Sequence, residues 1–258
     1  MVGASAGIGR ALATRAVQAG ADVVLVGRRQ ERLDDVVAQA AGGHPVVADI
    51  ADADACRSLI ATAVDTLGAI DARVVCSGAS GFGMVRNATQ EDWRSVFDIN
   101  VIGPALVTAA ALPHLAPGAF VGYLSSESVG RPRHGLVPYS ASKAALEETI
   151  RGWRVEHPEV RFCCVCVGAT LGTEFGRDLD PALAASLFRS WIAHGHMAQT
   201  MMDVEDVGEA LLEVVSSALA HPGIDLQAVT LRPPGGLIDG GVESMLETLA
   251  ENQPAEQA

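Results

Sequence analysis

Short apolar runs rich in β-branched residues alternate along the chain with amphipathic, Ala-rich stretches. The pattern predicts strands at 21–27, 44–50, 72–78, 119–125, 160–167 and 229–232. It predicts helices at 10–19, 31–41, 52–67, 139–156 and 203–220. A further helical pattern starts at Gln90 and runs toward Leu112, with a break expected near Gly103-Pro104. Strands alternating with helices of this length mean βαβ units, hence an α/β fold with helices on both faces of a doubly wound, mostly parallel sheet. The strands are apolar almost without interruption, as burial on both faces demands. With no internal repeat and no low-complexity linker, residues 1–250 read as one domain, and 251–258 as a polar tail.

Composition narrows the class. Of 258 residues, 49% are apolar and 19% charged, which excludes disordered, collagenous and coiled-coil chains. No apolar run approaches the roughly 20 residues of a bilayer span, so no membrane partner is expected. The first residues lack the basic and apolar regions of a secretory signal. A net charge of −13 repels phosphate backbones and argues against nucleic acid as a partner. The odd set Cys56, Cys76, Cys163, Cys164 and Cys166 points to a reducing, cytoplasmic setting rather than a disulfide framework. His194-Gly-His196 has no carboxylate or thiol at useful spacing, so no metal is expected. Lys143 is the only lysine among 18 basic residues. Such an exception suggests a task that needs a compact, proton-exchanging ammonium rather than a guanidinium.

Two constellations carry chemistry. Gly3-Ala-Ser5-Ala-Gly7-Ile8-Gly9 runs straight into the first helical pattern. Such glycines let the backbone turn tightly and approach a pyrophosphate at a helix N-terminus. The loop should follow a strand, yet only Met1-Val2 precede it. Loss of that central strand would leave two inner strands unpaired. The expectation is therefore a natural start upstream of Met1, against the alternative that two residues suffice. The second constellation is Tyr139-Ser-Ala-Ser-Lys143 at a helix start. Positions i and i+4 share one face, where an ammonium lowers the phenol's pKa and makes Tyr139 a usable proton donor or acceptor. Ser126, thirteen residues earlier at a strand end, is placed to meet Tyr139 over one substrate, since ligands of such sheets bind beyond the carboxyl ends of the strands.

In order and spacing, Gly3-x-x-x-Gly7-x-Gly9, Asn100, Ser126 and Tyr139-x-x-x-Lys143 resemble the signature of the short-chain dehydrogenase/reductase family, over roughly residues 1–167. The resemblance implies a Rossmann-type fold and hydride transfer between NAD(P) and a carbonyl or alcohol substrate. It implies Tyr139 as general acid/base, Lys143 lowering its pKa and binding the nicotinamide ribose, and Ser126 polarising the substrate oxygen. Asn100 would hold a water of the proton relay. Ser125 and Ser128 compete with Ser126, although the spacing favours Ser126. Asp49-Ile50 resembles the adenine-contacting pair, with helix capping as the alternative for Asp49. The family's Asn-Asn-Ala-Gly reads here as Val75-Cys76-Ser77-Gly78, and its Pro-Gly as Val167-Gly168. Gly168 and Thr170 are candidates for the nicotinamide amide, with Thr173 competing.

After the strand ending at Gly27 comes Arg28-Arg29, with no acidic residue to accept a ribose 2′-hydroxyl. An arginine there pairs with a 2′-phosphate, which predicts NADPH over NADH, with Arg28 the main contact and Arg29 stacking or solvated. Residues at about 170–202 are expected to form a substrate lid. Its Met and aromatic content suggests an apolar substrate, with core packing an equal alternative. A homodimer or homotetramer is expected by analogy. Rival readings are an isomerase or lyase-type reaction on the same site, a catalytically silent nucleotide-binding protein, and a degenerate or truncated copy.

Overall fold

The computed structural model describes residues 1–177 and 179–236. The expectations for 237–250 and for the 251–258 tail lie outside these residues. Six strands form the sheet: β1 (Val24–Gly27), β2 (His44–Val47), β3 (Ile70–Val75), β4 (Leu115–Ser126), β5 (Arg161–Val167) and β6 (Ala228–Leu231). All neighbouring pairs are parallel, in two sets ordered β1-β2 and β3-β4-β5-β6. Eight α-helices cover them: α1 (Gly7–Gln18), α2 (Gln30–Ala40), α3 (Ala53–Leu67), α4 (Gln90–Phe97), α5 (Gly103–Ala111), α6 (Val137–Glu156), α7 (Pro181–Ala193) and α8 (Val204–Ala220).

Val2 joins the two sets. It bridges Val26 of β1 on one side and Val75 of β3 on the other. Its N–H donates to the Val74 carbonyl at 2.9 Å, and its own carbonyl accepts from Cys76 at 2.8 Å. Across the other edge, Val26 N–H donates to the Met1 carbonyl, while Gly3 and Ala4 N–H both reach the Val26 carbonyl, each at 2.9 Å. Two residues therefore bridge β1 and β3, where the sequence led us to expect unpaired inner strands. The Val2 side chain is buried among Val24, Val26, Val75 and Val121.

Helix starts follow local chemistry. Asp52, Thr89, Asp180 and Asp203 cap α3, α4, α7 and α8 by accepting from backbone N–H groups of the first turn. Ala6 gives α1 no such cap. The expected break at Gly103-Pro104 does not occur. Helix continues from Gln90 to His114 through a π-helical turn at Asp98–Ile102. Pro104 has no N–H to donate, and the wider turn ahead of it accommodates the loss. This run has the length and apolar composition to cross a bilayer. Here it turns Val96, Asn100, Val107, Thr108 and Ala111 into the protein.

The strands are less uniformly apolar than expected. Arg73 is buried in β3, with Nη2 donating to Thr108 Oγ1 at 2.9 Å and to the Tyr123 hydroxyl. Its Nε and Nη1 have no partner. Arg161, also buried, donates to the carbonyls of Gly118 and Ala218. All five cysteines are free. Burial pushes Cys56 and Cys164 up to about 11, and Cys76 and Cys163 up to about 12.

Val2→Ala removes two buried methyl groups from the seam and is expected to lower the free energy of unfolding by about 2 kcal/mol in urea titrations. Val85→Ala, at a side chain half exposed to solvent, is the control and should change it by less than about 0.5 kcal/mol.

Candidate active site

The glycine loop crosses the sheet's carboxyl edge at the Val2 seam. Glycine is required here by close approach. A Cβ on Gly9 would lie 2.1 Å from the Gly3 carbonyl oxygen, and one on Gly3 2.6 Å from Ser77 N. Gly3 and Gly7 have φ of +82° and +53°, which L side chains rarely adopt. Ser5 packs against Gly27, and Ile8 joins the apolar cluster beneath α1. The uncapped N-terminus of α1 and the buried, unpartnered Ser77 Oγ face this loop region. A cradle of glycines with free helix N–H groups and an orphaned hydroxyl fits the pyrophosphate of a dinucleotide.

Arg28 is exposed just beyond β1, with no ion pair among the described residues. Arg29 is neither stacked nor solvated alone: its guanidinium grips Glu174 of the lid segment in a two-pronged pair, at 3.1 and 2.8 Å. That contact, with one from Arg177, holds the Glu174 carboxyl below its usual range. Asp49 is exposed and closes a turn by accepting from Ala51 N–H at 3.0 Å, leaving the capping of α3 to Asp52. Ile50 is buried against Gly103.

The catalytic candidates converge at the ends of β3 and β4 and the start of α6. The Ser126 hydroxyl lies beside the Tyr139 phenol, and Ser126 Oγ accepts from Ser128 N–H at 3.2 Å. Of the rival serines, Ser125 Oγ is engaged with Glu147, to which it donates at 2.5 Å, while Ser128 Oγ is buried without a partner. Lys143 is buried, and its Nζ donates to the Leu124 carbonyl at 2.8 Å. Asn100, in the π turn, clamps Ala79 from both sides: Oδ1 accepts from its N–H at 2.8 Å, and Nδ2 donates to its carbonyl at 2.9 Å. Nδ2 also donates to Ser142 Oγ at 2.9 Å. Gly78 lies between, where a Cβ would stand 3.5 Å from Asn100 Oδ1 and 3.7 Å from Lys143 Nζ.

The electrostatics differ from the sequence-based expectation. Burial pushes the Tyr139 phenol above its ordinary value, against opposing pulls from the Ser126 hydroxyl and the Arg133 cation. Lys143 sits 6.0 Å from the ring centroid, and burial brings its own ammonium down to about 8. In this state the phenol is a firmly protonated acid.

Gly168 N–H donates to the Leu231 carbonyl, and Thr170 Oγ1 turns back to the Gly168 carbonyl at 3.0 Å. Thr173, rather than Thr170, lies over Gly7. Helix α7 and its flanks pack over Tyr139. Phe175 meets the Tyr139 ring edge-on at 5.1 Å and Phe82 at 5.1 Å, and Trp191 stands 6.5 Å from Phe82. Sequence reading missed Glu127, Arg133 and Glu174. The signal available for Arg133 was its place in Arg131-Pro132-Arg133, between Ser126 and Tyr139, in an otherwise acidic chain.

A family model described as short chain dehydrogenase matches residues 1–184. The chain is 36% identical over 182 residues to the human dehydrogenase/reductase SDR family member 4, covering 67% of this chain and 65% of that one. It is 32% identical over 187 residues to an uncharacterized oxidoreductase of Staphylococcus epidermidis, covering 68% and 81%. Among solved structures, an alcohol dehydrogenase of Thermococcus sibiricus in complex with 5-hydroxy-NADP superposes with a TM-score of 0.77 at 20% identity, covering 91% and 97%. A short-chain dehydrogenase from Streptomyces avermitilis superposes with a TM-score of 0.73 at 25% identity, covering 97% and 89%. The doubly wound fold, the glycine cradle and these matches make the chain a member of the short-chain dehydrogenase/reductase family, an oxidoreductase family that binds a nicotinamide cofactor.

Gly9→Ala forces a Cβ into the Gly3 carbonyl. It is expected to weaken nicotinamide nucleotide binding at least ten-fold in fluorescence titrations and to lower Tm by several degrees in calorimetry.

Proposed function

We propose that this protein is an NADP(H)-dependent reductase of a ketone or aldehyde with an apolar body, with Tyr139 as the general acid. The observation that carries the reading is the juxtaposition of Ser126 and Tyr139, with Lys143 and Asn100 gathered beside Gly78 next to the glycine cradle. When bound, the reduced nicotinamide supplies a hydride to the carbonyl carbon. Ser126 hydrogen-bonds the carbonyl oxygen and Tyr139 gives that oxygen its proton, so that one hydride and one proton yield the alcohol. Lys143 keeps a positive charge beside the phenolate left on Tyr139, and Asn100 holds the Ala79 backbone and Ser142 that frame the Lys143 pocket.

The cofactor residues follow the sequence reading. Gly3, Ser5, Gly7, Ile8 and Gly9 would receive the pyrophosphate, with Ser77 and Gly78 along its other flank. Asp49 and Ile50 would flank the adenine, and Gly168 with Thr170 or Thr173 the nicotinamide amide. Arg28 is the free cation for a 2′-phosphate, while Arg29 is shared with Glu174. Phe82, Phe175 and Trp191 support an apolar body for the substrate. The free cysteines fit a cytoplasmic protein, and we place it there as a homodimer or homotetramer.

Titration of NADPH and NADH side by side tests the cofactor. NADPH is expected to bind at least ten-fold tighter, and Arg28→Gln to bring the two within about three-fold, mostly by weakening NADPH. Equal affinities for wild type would overturn the preference. The pH profile tests the acid. Lys143 loses its charge as pH rises through about 8, so ketone reduction at saturating NADPH should be flat near neutrality and fall above that value. Tyr139→Phe should bind NADPH normally and lose at least a hundred-fold in kcat; retained turnover would remove Tyr139 from the mechanism.

A further inference from the structure

The apolar wall over Tyr139 covers one side of the reaction site. The other side is cationic. Arg131 and Arg133 lie in the loop between β4 and α6, and Arg232 follows β6 directly. All three line one small cavity together with Glu127, His196 and Ala198. Glu127 is the residue after Ser126, and its carboxylate lies over Gly168, 3.1 Å from where a Cβ would stand. Arg133 ion-pairs with Glu127, and Arg232 Nε approaches the second oxygen of that carboxylate at 3.3 Å. The Arg133 and Glu127 side chains are only 16% and 12% exposed, so this is a built feature and not a solvated surface pair.

Three guanidinium groups thus line the cavity with one carboxylate, which pairs with two of them, leaving a formal charge of +2 at this corner of a chain whose net charge is −13. Arg131 is exposed and has no ion pair among the described residues. Arg133 also lies over the Trp191 ring at 5.7 Å, so the cationic corner and the aromatic wall meet at one residue. Partial burial, with Arg133 and Arg131 close by, holds the His196 imidazole below its usual range, so it adds no charge of its own at neutral pH.

We propose that the substrate of this site carries a carboxylate, read by Arg131, Arg133 and Arg232, on the apolar body that packs against Phe82, Phe175 and Trp191. This rests on the reading of Ser126 and Tyr139 as the reaction centre. The free space between the arginines is about 10 Å³, close to that of one water. A carboxylate approaching from the exposed Arg131 and Arg232 side presents two oxygens to a planar guanidinium. Glu127 keeps Arg133 and Arg232 extended toward the site, and it repels an anion less than their combined charge attracts it.

The test uses the NADPH-loaded enzyme and two matched probe pairs, 3- and 4-acetylbenzoate beside their methyl esters. Binding is measured by calorimetry and reduction by NADPH consumption. For at least one pair, the carboxylate is expected to bind ten-fold or more tighter than its ester, with the advantage falling as salt is raised. The preference should lie in KM rather than kcat. Arg131→Gln with Arg232→Gln should bring the pair within about three-fold, with NADPH affinity and Tm kept. Arg57→Gln, which removes one positive charge from α3, away from this cavity, should leave the preference intact. Esters that bind as well as the acids, or no binding of either probe while NADPH binds normally, would overturn the carboxylate reading and leave the cofactor reading standing. Failure of NADPH itself to bind would instead refute the function from which the proposal starts.

Discussion

The sheet is held together at its centre by the backbone of residues 1–4. Val2 hydrogen-bonds into β3, and its neighbours Met1, Gly3 and Ala4 into β1, so the contact between the two-strand and four-strand sets is four residues long. Its position decides where everything else stands. The two-strand set carries Arg28, Arg29, Asp49 and Ile50. The four-strand set carries Ser77, Gly78, Ser126 and Gly168. The glycine loop leaves the seam directly, so its backbone faces both sets at once. A dinucleotide laid along that edge would touch both halves and reinforce a contact that the chain itself makes thinly.

Around this edge the protein tolerates expensive burial. Lys143 and Tyr139 are both shielded from water, and each is pushed toward its neutral form. From nearly equal ordinary values, their opposite shifts move the two groups apart, so that as pH rises the ammonium gives up its charge before the phenol gives up its proton. Arg133, reaching Tyr139 through space and Glu127 through an ion pair, ties the charge of the substrate corner to that of the acid. Across the lid, the Arg29–Glu174 pair ties the cofactor end to the same covering segment. Both ends of the site are thus joined to residues that were not selected from the sequence.

What was legible in the sequence was local. Helix α6 puts Tyr139 and Lys143 on one face because four residues make about one turn, and the strand-to-helix alternation gives the doubly wound sheet without further information. The choice among Ser125, Ser126 and Ser128 was left partly open because it depends on which way a strand end turns, and Glu147 settles Ser125 only once α6 is docked. The break expected at Gly103-Pro104 failed for a related reason. Gly103 is small because Ile50 packs against it, and the missing N–H of Pro104 is absorbed by the π turn. Arg73 within a buried strand, and the meeting of Arg133 with Arg232 from segments a hundred residues apart, have no periodic signature. They are decided by tertiary contact alone.

The cysteines give this architecture a chemical character of its own. Every thiol is raised by burial, so at neutral pH almost none is present as the reactive thiolate. The folded molecule should therefore be sluggish toward alkylating reagents and peroxide despite its five free thiols. Cys76 stands beside the seam, Cys56 lies on the buried side of α3, and Cys163, Cys164 and Cys166 lie along β5. Cys56 and Cys163, the two that are buried, become reactive only when their own part of the core opens. The rate at which each of these two sulfurs is labelled is then a local clock of the breathing of the core, written into the wild-type chain with no probe to be introduced.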